Sequence, residues 1–155
     1  MEEDIKKSYE ELKKKYSLPS FDILNSELEI SSLESADFLL RRIKEKIAEK
    51  LDYIAHLLEA ILHPDTNSLA DMHEYRGFTE TDKKEIFEIY GKLMILHRTA
   101  IELFLESNDT EIVAYINTVF EKLPELKKST LKYIKKLRTT WGKQFDSDDE
   151  LGYLG

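Results

Sequence analysis

Residues 32–62 read SLESADFLLRRIKEKIAEKLDYIAHLLEAIL. Within them apolar side chains recur at Ala36, Leu40, Ile43, Ile47, Leu51, Ile54, Leu58 and Ile61, in steps of three and four. That spacing follows the turn of an α-helix and breaks the alternation a strand needs. Ser31 followed three residues later by Glu34 has the form of a capping box, in which the serine oxygen takes an amide of the first turn and the glutamate reaches back. Pro64 stops the pattern just after His63. At 1.5 Å per residue the predicted helix is about 46 Å long, so other helices must cover it along its length.

Outward from this stretch the chain predicts further helices. Residues 2–16 carry Ile5, Tyr9, Leu12 and Tyr16 on one stripe, with Glu2, Glu3, Glu10 and Glu11 each four residues before a lysine, the favourable polarity. Pro19 ends that helix by disfavouring the α conformation at Leu18. Residues 21–30 lack a sustained period and predict a packed connector with about one helical turn. The connection 63–78 exceeds the usual length between bundled helices, so it either carries function or holds a short helix. For the latter, Ser68 and Asp71 would cap a turn over Leu69 to Tyr75 and Gly77 would close it in the left-handed conformation.

Thr79, Thr81 and Asp82 are alternative caps for a long third helix reaching about Glu106. Its apolar stripes run through Ile86, Tyr90, Leu93, Ile101 and Phe104, and through Phe87, Met94 and Leu105. Gly91 inside it predicts a close crossing against the central helix. Asn108 with Glu111 caps a fourth helix. Pro124 ends that helix or opens a fifth, which runs to about Trp141 with Leu126, Ile134, Leu137 and Trp141 inward. The expectation is an all-α fold, a multi-helix bundle built around two long antiparallel helices. Residues 1–145 form one domain on this reading, and 146–155 an acidic, mobile tail.

A chain of 155 residues can bury a core without staples, and the absence of cysteine excludes disulfides, thiolate metal sites and a cysteine nucleophile. No apolar run approaches a membrane span, and Met1-Glu2-Glu3-Asp4 has the wrong charge for a signal peptide. The sequence therefore predicts a cytoplasmic protein with no membrane partner. Its 31 acidic and 23 basic residues give a net charge of −8, which opposes nucleic-acid binding by bulk attraction.

Four constellations bear on function. Glu45, Glu49, Asp52, His56, Glu59 and His63 line the face of the central helix opposite its stripe; this predicts a solvated acidic face and no metal. His97 falls on the apolar stripe of the third helix and predicts a core imidazole satisfied by a backbone carbonyl or a tyrosine hydroxyl. His63, Asp65, Asp71, His73, Glu74 and Arg76 in the long connection have active-site residue types without an active-site spacing. Lys127, Lys128, Lys132, Lys135, Lys136, Arg138 and Lys143 follow one another with no acid between Glu125 and Asp146. Of these, Lys128, Lys132, Lys135 and Lys136 form a candidate interaction surface, for an anionic partner or for acids of the central helix or the tail. Leu151, Tyr153 and Leu154, after the acidic run from Asp146 to Glu150, form a candidate docking tail.

Glu49 with Asp52, and Glu85 with Glu88, resemble the paired acidic motifs on the magnesium-binding helices of all-α nucleotide pyrophosphohydrolases, in reversed order along the chain. That resemblance implies a metal-dependent hydrolase as one alternative. No phosphate loop, H-E-x-x-H or G-x-S-x-G is present. The leading expectation is a non-enzymatic protein of adaptor or scaffold type with a protein partner and no catalytic residue, metal or cofactor. A nucleic-acid-associated protein using the basic C-terminal helix is the other alternative.

Overall fold

The computed structural model describes residues 2–143. The acidic tail and its docking residues Leu151, Tyr153 and Leu154 lie outside the described residues. Those residues form six α-helices and one 3-10 turn, with no strand. In order they are α1 (Glu2–Lys15), α2 (Phe21–Leu28), the 3-10 turn Ile30–Ser32, α3 (Leu39–Leu62), α4 (Leu69–Arg76), α5 (Glu80–Leu105) and α6 (Asp109–Lys143). The fold is an all-α bundle in which α3 and α5 pack most extensively among the described residues. None of the described helices is long and apolar enough to cross a membrane.

The described residues divide into two compact units: the first takes those up to Tyr53 with Leu93–Pro124, the second Ile54–Lys92 with those from Glu125 to Lys143. In the first, α1 and α2 pack through the rings of Tyr9 and Phe21, 5.8 Å apart. The Tyr9 hydroxyl donates to the Pro19 carbonyl at 2.6 Å. Ser20 caps α2, and Lys50 ties its end to α3 by donating to the Glu27 carbonyl at 2.9 Å and carboxylate at 2.7 Å. Direction is legible in two contacts between α3 and α5: Lys44 lies over Phe104, while Asp52 faces His97. Eight residues forward on α3 correspond to seven backward on α5, so the pair is antiparallel. On the first turns of α6 the Tyr115 hydroxyl donates to the Leu96 carbonyl at 2.9 Å.

In the second unit α4 begins at Ser68, whose Oγ accepts from the Asp71 amide. A reciprocal capping box opens α5: Thr79 Oγ1 accepts from the Asp82 amide and the Asp82 carboxylate from the Thr79 amide, both at 3.0 Å. Phe78 and Tyr133 meet in the core with centroids 6.3 Å apart. His73 and Glu74 of α4 hold the end of α6. The His73 ring lies 4.4 Å from that of Trp141, and Glu74 accepts from the indole N–H at 3.1 Å.

Five expectations are corrected. α3 starts at Leu39, because Ser32 and Ser35 bind locally and Ser31 belongs to the 3-10 turn: Ser32 Oγ donates to the Glu29 carbonyl, Ser35 Oγ accepts from the Asp37 amide, and the Ser31 amide donates to the Asn25 side-chain oxygen. The connector 21–30 holds eight helical residues, ended by Glu29 in the left-handed conformation. Gly77 has φ −72°, so it is not a left-handed cap; it is glycine because a Cβ there would run into Thr140. Gly91 has open space around it, so the close crossing does not exist. The fourth and fifth helices are one, with Pro124 inside it. Its missing N–H costs one helical bond, yet Leu123 and Leu126 on either side are both buried and hold the backbone in register.

The two glycines predict opposite responses. Gly77→Ala destabilises by about 1–3 kcal/mol through overpacking against Thr140. Gly91→Ala stabilises by up to about 1 kcal/mol, since only helix propensity changes. Urea denaturation of both variants checks the pair; a stabilised Gly77→Ala would refute the close approach.

Candidate interaction surfaces

The basic row of α6 is the first candidate, and the structure divides it. Lys136 donates to the Asp82 carboxylate and lies over the Phe78 ring. Lys132 is 3.6 Å from Glu85, which also accepts from the Tyr133 hydroxyl. Lys128 and Lys135 are exposed. The acids that answer Lys132 and Lys136 belong to α5, not to the acidic face of α3 that the sequence suggested. The hydrogen bond from Lys136 is the main cause holding the Asp82 carboxyl below its ordinary value, with that from the Thr79 amide second.

The acidic face of α3 is exposed at Glu45, Glu49, His56, Glu59 and His63. In the second unit His56, Glu59 and His63 line a shallow cleft with Asp65 and Asp71, where Asp71 already accepts from the Asp65 amide. Among the described residues no group of three His, Asp or Glu side chains has the arrangement of a metal site. Of the paired acids resembling a hydrolase motif, Asp52 faces His97 and Glu85 is taken up by Lys132 and Tyr133.

His97 is half-buried, and its partners are neither a carbonyl nor a tyrosine. Its Nδ1 is 2.9 Å from a guanidinium nitrogen of Arg98, which can only donate. Nδ1 therefore accepts, and Nε2 carries its hydrogen toward Asp52 at 3.8 Å.

A surface that the sequence reading did not single out lies in the first unit. Of the stripe predicted for α5, Ile86 and Leu93 are buried as expected, but the rest of the buried row is Ile89, Leu96, Ala100 and Leu103. Ile101 and Phe104, expected inward, are exposed, Phe104 by 71%, and Leu105 beside them by 78%. At the start of α3, Phe38 is 71% exposed and has φ 55°. A bulky residue with positive φ is strained by about 1–3 kcal/mol, and such strain gathers at functional positions. Phe38 also borders a cavity of about 510 Å³ lined by Ser8, Glu11, Leu12 and Lys15 of α1, Leu39–Arg41 of α3, and Asp109. The signal was available in the sequence: two apolar rows on α5, offset by one position, are more than one core-facing stripe uses.

Neither a protein-family model nor a curated protein or solved structure matches this chain.

Two measurements test the α6 row. The stabilisation from Asp82, whose folded pKa is depressed, is complete above its ordinary value of 3.8 and is lost as pH falls through the folded value. Asp82→Asn therefore lowers the Tm at neutral pH, with a gap to wild type that closes in acid; a gap unchanged at about pH 2 would show that charge is not the cause. Lys136→Glu lowers stability, more so at low salt, whereas Lys128→Glu and Lys135→Glu stay within about 0.5 kcal/mol of wild type by chemical denaturation.

Proposed function

We propose that this chain is a non-enzymatic, adaptor-type helical protein that acts by binding another protein through its first unit. One observation carries the reading. Ile101, Phe104 and Leu105 stand at i, i+3 and i+4 on α5, and all three keep much of their surface in water. Single exposed apolar residues are ordinary, but a contiguous group on one helix face is the composition of a docking surface. The helix-in-groove mode of recognition uses this spacing.

The basic row of α6 supports a nucleic-acid reading less well. Lys132 and Lys136 are engaged by Glu85 and Asp82, and the chain's net charge of −8 opposes a polyanion. Phosphate-backbone binding draws its affinity from many such cations together, and few remain.

Phe104→Asp is expected to leave stability within about 0.5 kcal/mol, since little is buried at that ring, and to abolish capture of a specific protein partner. Quantitative affinity capture with wild type and variant, alongside thermal melts, checks both. Identical partners on the two baits, or a Tm lowered by many degrees, would overturn the reading.

A further inference from the structure

We infer that the outer face of α6 in the second unit takes the chain's own acidic segment 146–150, whose carboxylates answer Arg138 and Lys135 while Leu151 and Tyr153 behind them cover Leu131. This inference is independent of the protein-binding reading of the first unit.

Helical spacing defines the face. Lys128, Leu131, Lys135, Arg138 and Gly142 follow one another in steps of three and four, so they share one side of α6. Leu126, Thr130, Tyr133 and Thr140 are buried on the opposite side. The three cations of the row are exposed, and none of them makes an ion pair among the described residues. Lys132 and Lys136 beside them are engaged by Glu85 and Asp82, so the acids of α5 are spent on other lysines. Between the cations Leu131 is 49% exposed, an apolar spot inside a basic row. Gly142, near the end of the helix, has open space where a Cβ would stand, which leaves room for a chain returning along this side.

Order, reach and tether choose the occupant. After Lys143 the chain carries Asp146, Asp148, Asp149 and Glu150 with no cation, and then Leu151, Tyr153 and Leu154. Acids first and apolar groups second is the order in which α6, followed backward from its end, presents Arg138 and Lys135 and then Leu131. At 1.5 Å per residue Arg138 lies about 8 Å back from Lys143, Lys135 about 12 Å and Leu131 about 18 Å. An extended chain covers about 10 Å by Asp146 and about 26 Å by Leu151, so each group can reach its counterpart with length left for the turn. The net charge of −8 already includes these four acids, and a short tether holds them beside the row at high effective concentration. A free polyanion has no tether and must approach the whole molecule against that charge. Exposed ion pairs contribute little each, so the contact is read at the segment itself and hardly at all in global stability.

The test uses the full chain, whose lack of cysteine lets a single nitroxide be attached at Gly155→Cys. Amide spectra of the isotope-labelled protein are compared with the nitroxide oxidised and reduced. Expected is paramagnetic broadening of the α6 amides from Lys128 to Lys135, which fades in concentrated salt and is lost when Lys128→Glu, Lys135→Glu and Arg138→Glu are combined. The same loss is expected when Asp146→Asn, Asp148→Asn, Asp149→Asn and Glu150→Gln are combined; this variant leaves α6 untouched and keeps the test decisive if the first one misfolds. The Leu131 methyl resonances are expected to shift on Tyr153→Ala. Broadening confined to the last turn of α6, or broadening that survives neutralising the acids, would overturn the inference, as would Leu131 methyls indifferent to Tyr153→Ala. Broadening of an isotope-labelled copy by a separate nitroxide-bearing copy would assign the face to another molecule's segment and overturn it as well.

Discussion

A helix can turn only one stripe toward the core it helps build, and α5 carries two, offset by a single residue. The row through Leu93, Leu96, Ala100 and Leu103 is buried in the first unit, which leaves Ile101 and Phe104 on the adjoining face. Covering a phenylalanine fully would contribute about 1.5–3 kcal/mol, so leaving Phe104 in water is a free-energy gain not taken. Lys44 belongs to the same constraint. Where the α3 and α5 surfaces meet, the chain places an ammonium against an exposed ring instead of an aliphatic side chain that would seal the contact. The strained Phe38, with Arg41 over its ring, lies apart from this row, at a cavity that α1 and the start of α3 line.

Charge in this protein is organised by neighbours and hardly at all by its total. The lysines of α6 that could be read as an anion grip split into two engaged by Asp82 and Glu85 and two left in solvent, within one helical segment. His97 is likewise placed by its flanking arginine and a carboxylate across the helix pair. The cluster in the long connection resolves in the same way, with His73 and Glu74 spent on Trp141 and Asp71 on a backbone amide.

The helical class, the central pair and most caps were legible from the chain. Ser68 with Asp71 and Asn108 with Glu111 make the bonds their spacing implies, and of the three alternative caps for α5 the structure uses Thr79, with Asp82 as its reciprocal partner. The failures share physical causes. Serines near position 32 can satisfy either a helix start or their own turn, and residues 33–38 take the turn. Proline is normally a helix boundary, but burial of Leu123 and Leu126 overrides it at Pro124. A helix that is apolar around more than half its circumference gives periodicity no way to choose its inner face, which is why Ile101 and Phe104 were placed inward and the surface they form was missed.

The hydroxyls of Tyr9 and Tyr115, spent on the carbonyls of Pro19 and Leu96, set an alkaline limit to the first unit. Burial is the main reason both phenols sit well above their ordinary value of 10.0. An unfolded chain releases those protons near the ordinary value, while the folded one must keep them or bury phenolate against a carbonyl oxygen. The stabilisation from each phenol is complete below that value and drains away as pH climbs toward the folded value. In strong base these two rings, deep in the packing that supports the exposed face of α5, become groups that favour the unfolded chain.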